Sequence, residues 1–461
     1  MVFAGIPFLY FFLPAAVVAG IFARGKARAV TLLLFSLVFY AFGEPRYVVL
    51  MALTALVAWG CGLWAEARGG KLPLVLHCCV SVGFFIYFKY TDFLLGAVNG
   101  AFGTNLPLLR VALPVGISFY TFQSISYVAD VTMGRIRAER NPINFGAYLT
   151  FFPQLIAGPI VRYEDIREQM LFGSPTWKNV SEGAVRFCVG LGKKVLIANV
   201  LAEISADAAA GEMSVALLWV LAVSGALTIY FDFSGYSDMA VGLGRMFGVE
   251  LPENFRHPFA SKSVAEFWRR WHITLGSWFR DYVYIPLGGS RCGVWKQIRN
   301  LLVVWALTGL WHGAAWTFVL WGLYFAAFLV LERFAAGVFR KFPPWLSHVY
   351  VVFVVVISFV LFGAESPAVF ASQLRGMFGF AGLPLWNAET AWILRQYGVL
   401  LIVSAVCAFP LVPWILQKLR ALPRWEAVCA YLQPVVMAAL LLASTAFLAA
   451  GSFNPFLYFR F

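Results

Sequence analysis

Long uncharged runs, alternating with stretches that hold nearly all the charge, set the pattern of this chain. Met1–Ala23, Tyr47–Ala65, Val111–Ala129, Asn141–Val161, Met213–Phe231, Asn300–Leu331, Gln396–Gln417 and Ala427–Phe459 each lack Asp, Glu, Lys and Arg. About 20 apolar residues in helical form cross the hydrocarbon core of a bilayer. A backbone surrounded by lipid must also satisfy its own hydrogen bonds, which a helix does. The pattern predicts an all-α, polytopic integral membrane protein, with about 10–12 spanning helices plus re-entrant and amphipathic ones.

Three segments break the simple alternation. Asn141–Gln169 contains FFPQLIAGPIVRYEDI, with Pro153, Gly158 and Pro159 interrupting an apolar stretch. Pro252–Arg299 is amphipathic, with Lys262, Arg269, Arg270, Arg280, Arg291, Lys296 and Arg299 set against Glu266 and Asp281. Asn300–Leu331, helical throughout, would be about 48 Å long, too long for one upright crossing of a core near 30 Å. It must bend, tilt strongly or turn back, and Gly309 and Gly313 offer it places to do so.

Composition agrees. Of 461 residues, 61% are hydrophobic and 12% charged, with mean hydropathy +0.78. That charge fraction is roughly half of what a soluble domain carries. The net charge of +13 reads as basic cytoplasmic loops and gives no reason to invoke nucleic acid. Arg24, Lys26 and Arg28 follow the first span, whereas GEPR at 43–46 is neutral. Arg68 and Lys71 follow the third, Lys89, Asp92 and Arg110 frame the next gap, and Arg135, Arg137 and Arg140 the one after. This alternation puts Met1 outside. The N-terminus has no basic residue ahead of its apolar run, so it reads as a first span and not as a cleaved signal. Seven cysteines, none paired at metal-ligand spacing, read as small buried hydrophobes. With no internal repeat and no linker, residues 1–461 read as one transmembrane domain: N-terminal spans to 140, a core over 141–335, and C-terminal spans from 336.

Chemistry must come from the few polar groups at membrane depth. Of five histidines, His77 and His348 lie at expected span ends, and His257 in NFRHPF reads as a loop residue. His312 sits in GLWHGAAW, inside the uncharged Asn300–Leu331 run. Polar side chains there usually face a cavity or site, and burial among Trp311, Trp316 and Trp321 disfavours the imidazolium. A neutral ring able to take a proton is what a general base needs. A core histidine bonded to a backbone carbonyl is the bland alternative. His272 stands among Phe267, Trp268, Arg269, Arg270, Trp271, Trp278 and Phe279, where an interfacial helix explains it equally well. Asp232 and Asp238 read as structural carboxylates, with Arg245 or one of Arg269, Arg270 and Arg280 as partner. PLGGSR at 286–291 is a tight loop or a weak phosphate cradle. No third ligand stands at a matching spacing, so no metal is expected.

Five words carry a resemblance: FPQLIAGPIVRY at 152–163, YFDFSGYSDMAVGLG at 230–244, FWRRWHITLGSWFRDYVYIPLGGSR at 267–291, GLWHGAAWTFVLWGLY at 309–324 and NPFLYFRF at 454–461. In this order they resemble the membrane-bound O-acyltransferase (MBOAT) family, and within it the bacterial alginate O-acetyltransferase-like branch. The resemblance implies a helical bundle around a central tunnel, and acyl transfer from a thioester to a hydroxyl or amine. It puts the family's catalytic histidine on His312 and its second motif position on His272. It also implies substrate contacts from Trp268, Arg269, Arg270, Arg280, Asp281, Arg291, Asn300 and Trp311, with Asp232, Asp238 and Gln154 in support. Acetyl-CoA would be a co-substrate, with no cofactor bound permanently. A periplasmic esterase-like acetyltransferase would be the partner, and an extracytoplasmic polysaccharide the acceptor. The place would be the bacterial inner membrane. D-alanyl or acyl transfer from a carrier protein is the enzymatic alternative. A polymer-export component is the other, against which stands the lack of an inverted repeat.

Overall fold

A computed structural model of the chain describes residues 1–209, 211–422 and 425–451, and its regular elements are helices. Among the described residues the one extended pairing is an isolated antiparallel bridge between Phe255 and Trp271. Among the described residues eight helices are long and apolar enough to cross a bilayer: Lys26–Gly43, Val48–Arg68, Leu72–Phe102, Val215–Met246, Trp316–Phe334, Pro344–Gly363, Ala388–Ala408 and Trp425–Ala449. A shorter apolar helix covers Phe8–Phe22. The protein is a multi-pass membrane protein. NPFLYFRF at 454–461 lies outside the described residues.

Two helices run further than the uncharged runs suggest. Leu72–Phe102 continues through Lys89 and Asp92, so the following gap starts only at Gly103. Asp92 there accepts hydrogen bonds from the backbone N–H groups of Leu109 and Arg110, at 2.7 and 2.9 Å. Val215–Met246 continues through Asp232 and Asp238, because each carboxylate meets a cation.

The chain packs as two compact units that interleave in sequence. One comprises residues 1–187, 237–253 and 277–286; the other comprises 188–236, 254–276 and 287–461. In the first, Phe3, Phe8, Phe12, Phe39 and Phe152 form a cluster of rings 5.1–6.4 Å apart. Arg28 is buried and donates to the carbonyls of Gln169, Met170 and Phe247, at 3.2, 2.8 and 2.5 Å. These carbonyls lie at or just beyond helix C-termini, where backbone acceptors run out of intrahelical donors. The 141–169 stretch folds as Pro142–Thr150, capped by the Asn141 side chain, then Phe152–Leu155 and Tyr163–Phe172. None of these is long enough to span. His77 lies near the start of Leu72–Phe102, as expected for a span end, and is fully buried, with Nε2 3.1 Å from Ser124 Oγ.

In the second unit, Asn300–Leu331 turns back on itself. Helix Val294–His312 ends at His312, residues 313–315 are extended, and Trp316–Phe334 begins. The break falls at Gly313, where a Cβ would lie 2.0 Å from the Phe318 ring. Gly309 does a different job. It and Gly322 let the two helices touch backbone to backbone, since a Cβ on Gly309 would meet Phe318 O at 2.2 Å and one on Gly322 would meet Trp305 O at 2.2 Å. Backbone contact through small residues is how helices pack where lipid removes the hydrophobic drive.

Candidate active site

His312 is the last residue of its helix and only 5% exposed. Its ring stands edge-to-face against Trp311, Trp321 and Phe362, with centroids 5.0, 5.0 and 5.4 Å away. The hairpin turn fixes this position, because the chain must leave the helix directly after the ring.

His272 is 1% exposed and joins the short helices Val264–Arg270 and Ile273–Phe279. Its φ is +45°, a left-handed conformation that costs a non-glycine residue energy and persists where its surroundings over-determine it. The surroundings are visible. Arg256 N–H donates to Arg270 O at 2.9 Å and Ile273 N–H to Asn254 O at 3.0 Å, clamping 254–256 along 270–273. Ser263 starts the first helix by accepting from Glu266 N. The His272 ring then meets Phe233 at 4.7 Å and Trp311 at 5.8 Å. Trp311 therefore touches both histidines.

Asn254 completes the arrangement. It is fully buried, and its Oδ1 lies 3.2 Å from His272 Nδ1, 3.2 Å from Thr274 N and 3.0 Å from Thr274 Oγ1. Burial pushes the His272 pKa well down, so the ring is neutral. On the far side of His312, Trp268 packs against Trp305, Trp321 and Phe325 at 4.6, 5.5 and 4.7 Å. Among the described residues, His272 Nε2, Asn254 Nδ2 and the indole nitrogens of Trp268 and Trp321 are buried without a hydrogen-bond partner. Each such atom costs about 1–3 kcal/mol. Four of them stand around this one ring cluster.

The other residues singled out from sequence divide. Arg269 and Arg291 are exposed, and Arg270 pairs with Glu266 at 2.6 Å. PLGGSR is a tight loop, with Gly288 and Gly289 at φ +108° and +55°. Asn300 is buried and closes it, donating to Leu287 O at 3.2 Å and Gly289 O at 3.4 Å. Arg280 and Asp281 belong to the first unit. There Asp281 is held by Arg280 at 2.7 Å and by Arg162, and although burial opposes it, these pairs keep the carboxyl below its usual range. Gln154, also in the first unit, is buried and donates to Tyr148 O at 2.6 Å.

The acid partners differ from expectation. Asp232 pairs with Lys194 at 2.7 Å, both side chains 3% exposed, a lysine where an arginine was expected. Asp238 pairs with Arg186, which also reaches Glu253, while Arg245 pairs with Glu182. Sequence reading missed Asn254, Thr274, Lys194 and Phe362. Asn254 carried the best signal, as a carboxamide two residues ahead of Arg256 in a stretch otherwise read as loop.

A cavity of about 520 Å³ lies in the second unit, lined in part by Ala206, Leu218, Thr228, Phe359 and Met377. Neither histidine lines it, but Phe359 contacts Trp271 at 5.2 Å. Among the described residues no three His, Cys, Asp or Glu side chains group closely enough to hold a metal ion.

Residues 135–372 match the model of the membrane-bound O-acyltransferase family, a span that includes both histidines. A probable alginate O-acetylase of Pseudomonas putida is 37% identical over the whole of both chains. The peptidoglycan O-acetyltransferase of Helicobacter pylori is 32% identical over 82% of this chain and 80% of its own. A teichoic acid D-alanyltransferase of Bacillus subtilis is 29% identical over 54% of this chain and 67% of its own.

Proposed function

The chain belongs to the membrane-bound O-acyltransferase family, and from that premise we propose that it moves acetyl groups from cytoplasmic acetyl-CoA across the inner membrane, to O-acetylate an extracytoplasmic polysaccharide. Alginate, a similar exopolysaccharide and peptidoglycan are the candidate acceptors. One observation carries the assignment of the centre: two buried histidines, His272 and His312, flank a single indole in a cluster of aromatic rings.

In the proposed reaction, the acceptor oxygen attacks the thioester carbonyl carbon while His312 takes the hydroxyl proton. The tetrahedral oxyanion needs donors aimed at it. Asn254 Nδ2 and the indole N–H groups of Trp321 and Trp268 are unpartnered donors in the cluster. Collapse breaks the C–S bond, the acetyl ester remains on the acceptor, and His312 returns the proton to the departing thiolate. Close-packed rings keep water from the thioester. The exposed cations Arg269 and Arg291 suit the phosphates of coenzyme A, and a periplasmic esterase-like acetyltransferase would complete delivery to the polymer.

The same fold could serve D-alanyl transfer from a carrier protein, but likeness to the D-alanyltransferase covers about half of this chain. Likeness to the alginate O-acetylase covers all of it. The test uses purified full-length protein in lipid, offered labelled acetyl-CoA or a charged carrier protein. Label should leave acetyl-CoA alone, and His312→Ala should abolish transfer while still inserting. Transfer retained in that variant would overturn the role of His312; transfer from the carrier alone would overturn the choice of donor.

A further inference from the structure

We propose that Asn254 is a positioning residue that fixes the tautomer of His272, so that this ring offers a lone pair at Nε2 and works as an acceptor toward whatever binds there. The inference rests on the reading of the histidine pair as the reaction centre.

The orientation of the Asn254 carboxamide is determined by its neighbours. A backbone N–H can only donate, and Thr274 N lies 3.2 Å from one terminal atom of Asn254, with Thr274 Oγ1 3.0 Å from the same atom. That atom is therefore the oxygen. His272 Nδ1 lies 3.2 Å from it. An oxygen already accepting from Thr274 offers the ring only an acceptor, so Nδ1 must carry the hydrogen. In a neutral imidazole the other nitrogen is then unprotonated. Nε2 is buried and has no hydrogen-bond partner among the described residues, so its lone pair is directed at no protein donor.

The backbone reinforces this choice. Asn254 O accepts from Ile273 N at 3.0 Å, so the main chain of Asn254 holds the residue after His272 while its side chain holds the ring and Thr274. The left-handed φ of +45° at His272 is the strain this clamp sustains, and strain of that kind concentrates at functional positions. A donor role toward the oxyanion would need hydrogen on Nε2 and is excluded by the same geometry. The ring instead accepts from an N–H or O–H of the bound substrate, and the indole nitrogens and Asn254 Nδ2 are left as the donors.

Nitrogen-15 histidine solid-state NMR of the full-length protein in lipid reads the tautomer directly. The signals lost in His272→Gln should be those of a neutral ring protonated at Nδ1. Asn254→Leu, similar in size but without the acceptor, should populate the Nε2-protonated form and lower acetyl transfer by about 100-fold. Asn254→Asp keeps an acceptor oxygen and should restore both the Nδ1 proton and most of the rate. A wild-type ring protonated at Nε2, or a rate unchanged in Asn254→Leu, would overturn the proposal. Should Asn254→Leu fail to insert, the wild-type spectrum decides alone. Transfer persisting in His312→Ala would instead strike the reading of the centre, and leave the measured tautomer standing.

Discussion

Lys194 and Asp232 show what a charge at membrane depth demands. Removing one member of a buried pair leaves the other charge uncompensated, at a cost of about 3–5 kcal/mol, whereas replacing both with apolar residues is often close to neutral. Lys194→Met and Asp232→Leu should each lower the thermal stability of the protein in detergent, and the double variant should recover at least half of the loss. Additive losses in a double-mutant cycle would show that the pair has no mutual role. Lys194 also donates to Asn199 Oδ1 at 2.7 Å, so full recovery is not expected. At this scale the sequence was legible wherever a polar group stood out against its neighbours. Asp232, His272 and His312 all announce themselves in apolar or aromatic surroundings. Their partners did not, because Lys194 and Asn254 are brought close by the fold and not by spacing along the chain. Exposed cations follow a third rule. Arg269→Gln and Arg291→Gln should each cost about 1 kcal/mol in binding, raising KM for acetyl-CoA roughly fivefold, with kcat nearly unchanged. An equal fall in kcat would place these residues nearer the chemistry than their exposure suggests.

The hairpin Val294–His312/Trp316–Phe334 was foreseeable from length alone, since the uncharged run was too long for one crossing. The division of labour between its glycines was not. Both Gly309 and Gly313 look like hinges in sequence, yet one breaks the helix and the other admits a neighbouring backbone. Gly309→Ala and Gly322→Ala must push the helices apart to relieve a 2.2 Å approach to a carbonyl oxygen, and overpacking of this kind costs about 1–3 kcal/mol. His312 rides on the first of these helices, so transfer should fall along with stability. Gly337→Ala meets nothing within 4 Å and serves as the control, with both properties preserved. Equal stability in all three variants, measured by thermal unfolding in detergent, would refute close backbone packing in the hairpin. The His272 connection was illegible for a related reason. EFWRRWHITLGSWF reads as one amphipathic helix, because aromatic and cationic residues recur through it without a glycine or proline at the break. The interruption comes from the 254–256 segment pairing across it, a contact between segments that no local pattern encodes.

At the scale of the whole molecule, uncharged runs located part of the helices and said nothing of how they group: Lys26–Gly43, Leu72–Phe102 and Pro344–Gly363 lie outside every such run, and the Asn141–Val161 run folds as short helices. The two compact units take turns along the chain, which only contacts between distant segments can reveal. The charge pattern still makes one claim the fold leaves testable: which gaps face the cytoplasm. Ile117–Thr132 is the sharpest case. At about 24 Å by helical rise it is shorter than a hydrocarbon core near 30 Å, and most of its residues are buried in the first unit. It nevertheless separates the exposed stretch 104–110 from the basic gap holding Arg135, Arg137 and Arg140. If basic gaps are cytoplasmic, these two regions lie on opposite sides and the helix crosses within a protein lining, where neighbouring side chains rather than lipid meet its polar groups. Leu108→Cys and Met133→Cys, both at exposed positions, placed in a cysteine-free background, decide the matter. An impermeant thiol reagent should label Leu108→Cys in intact cells and Met133→Cys only after permeabilisation. Labelling of both from one side would mean that the helix turns back within the first unit, and that the alternation of basic gaps had been read one crossing too far.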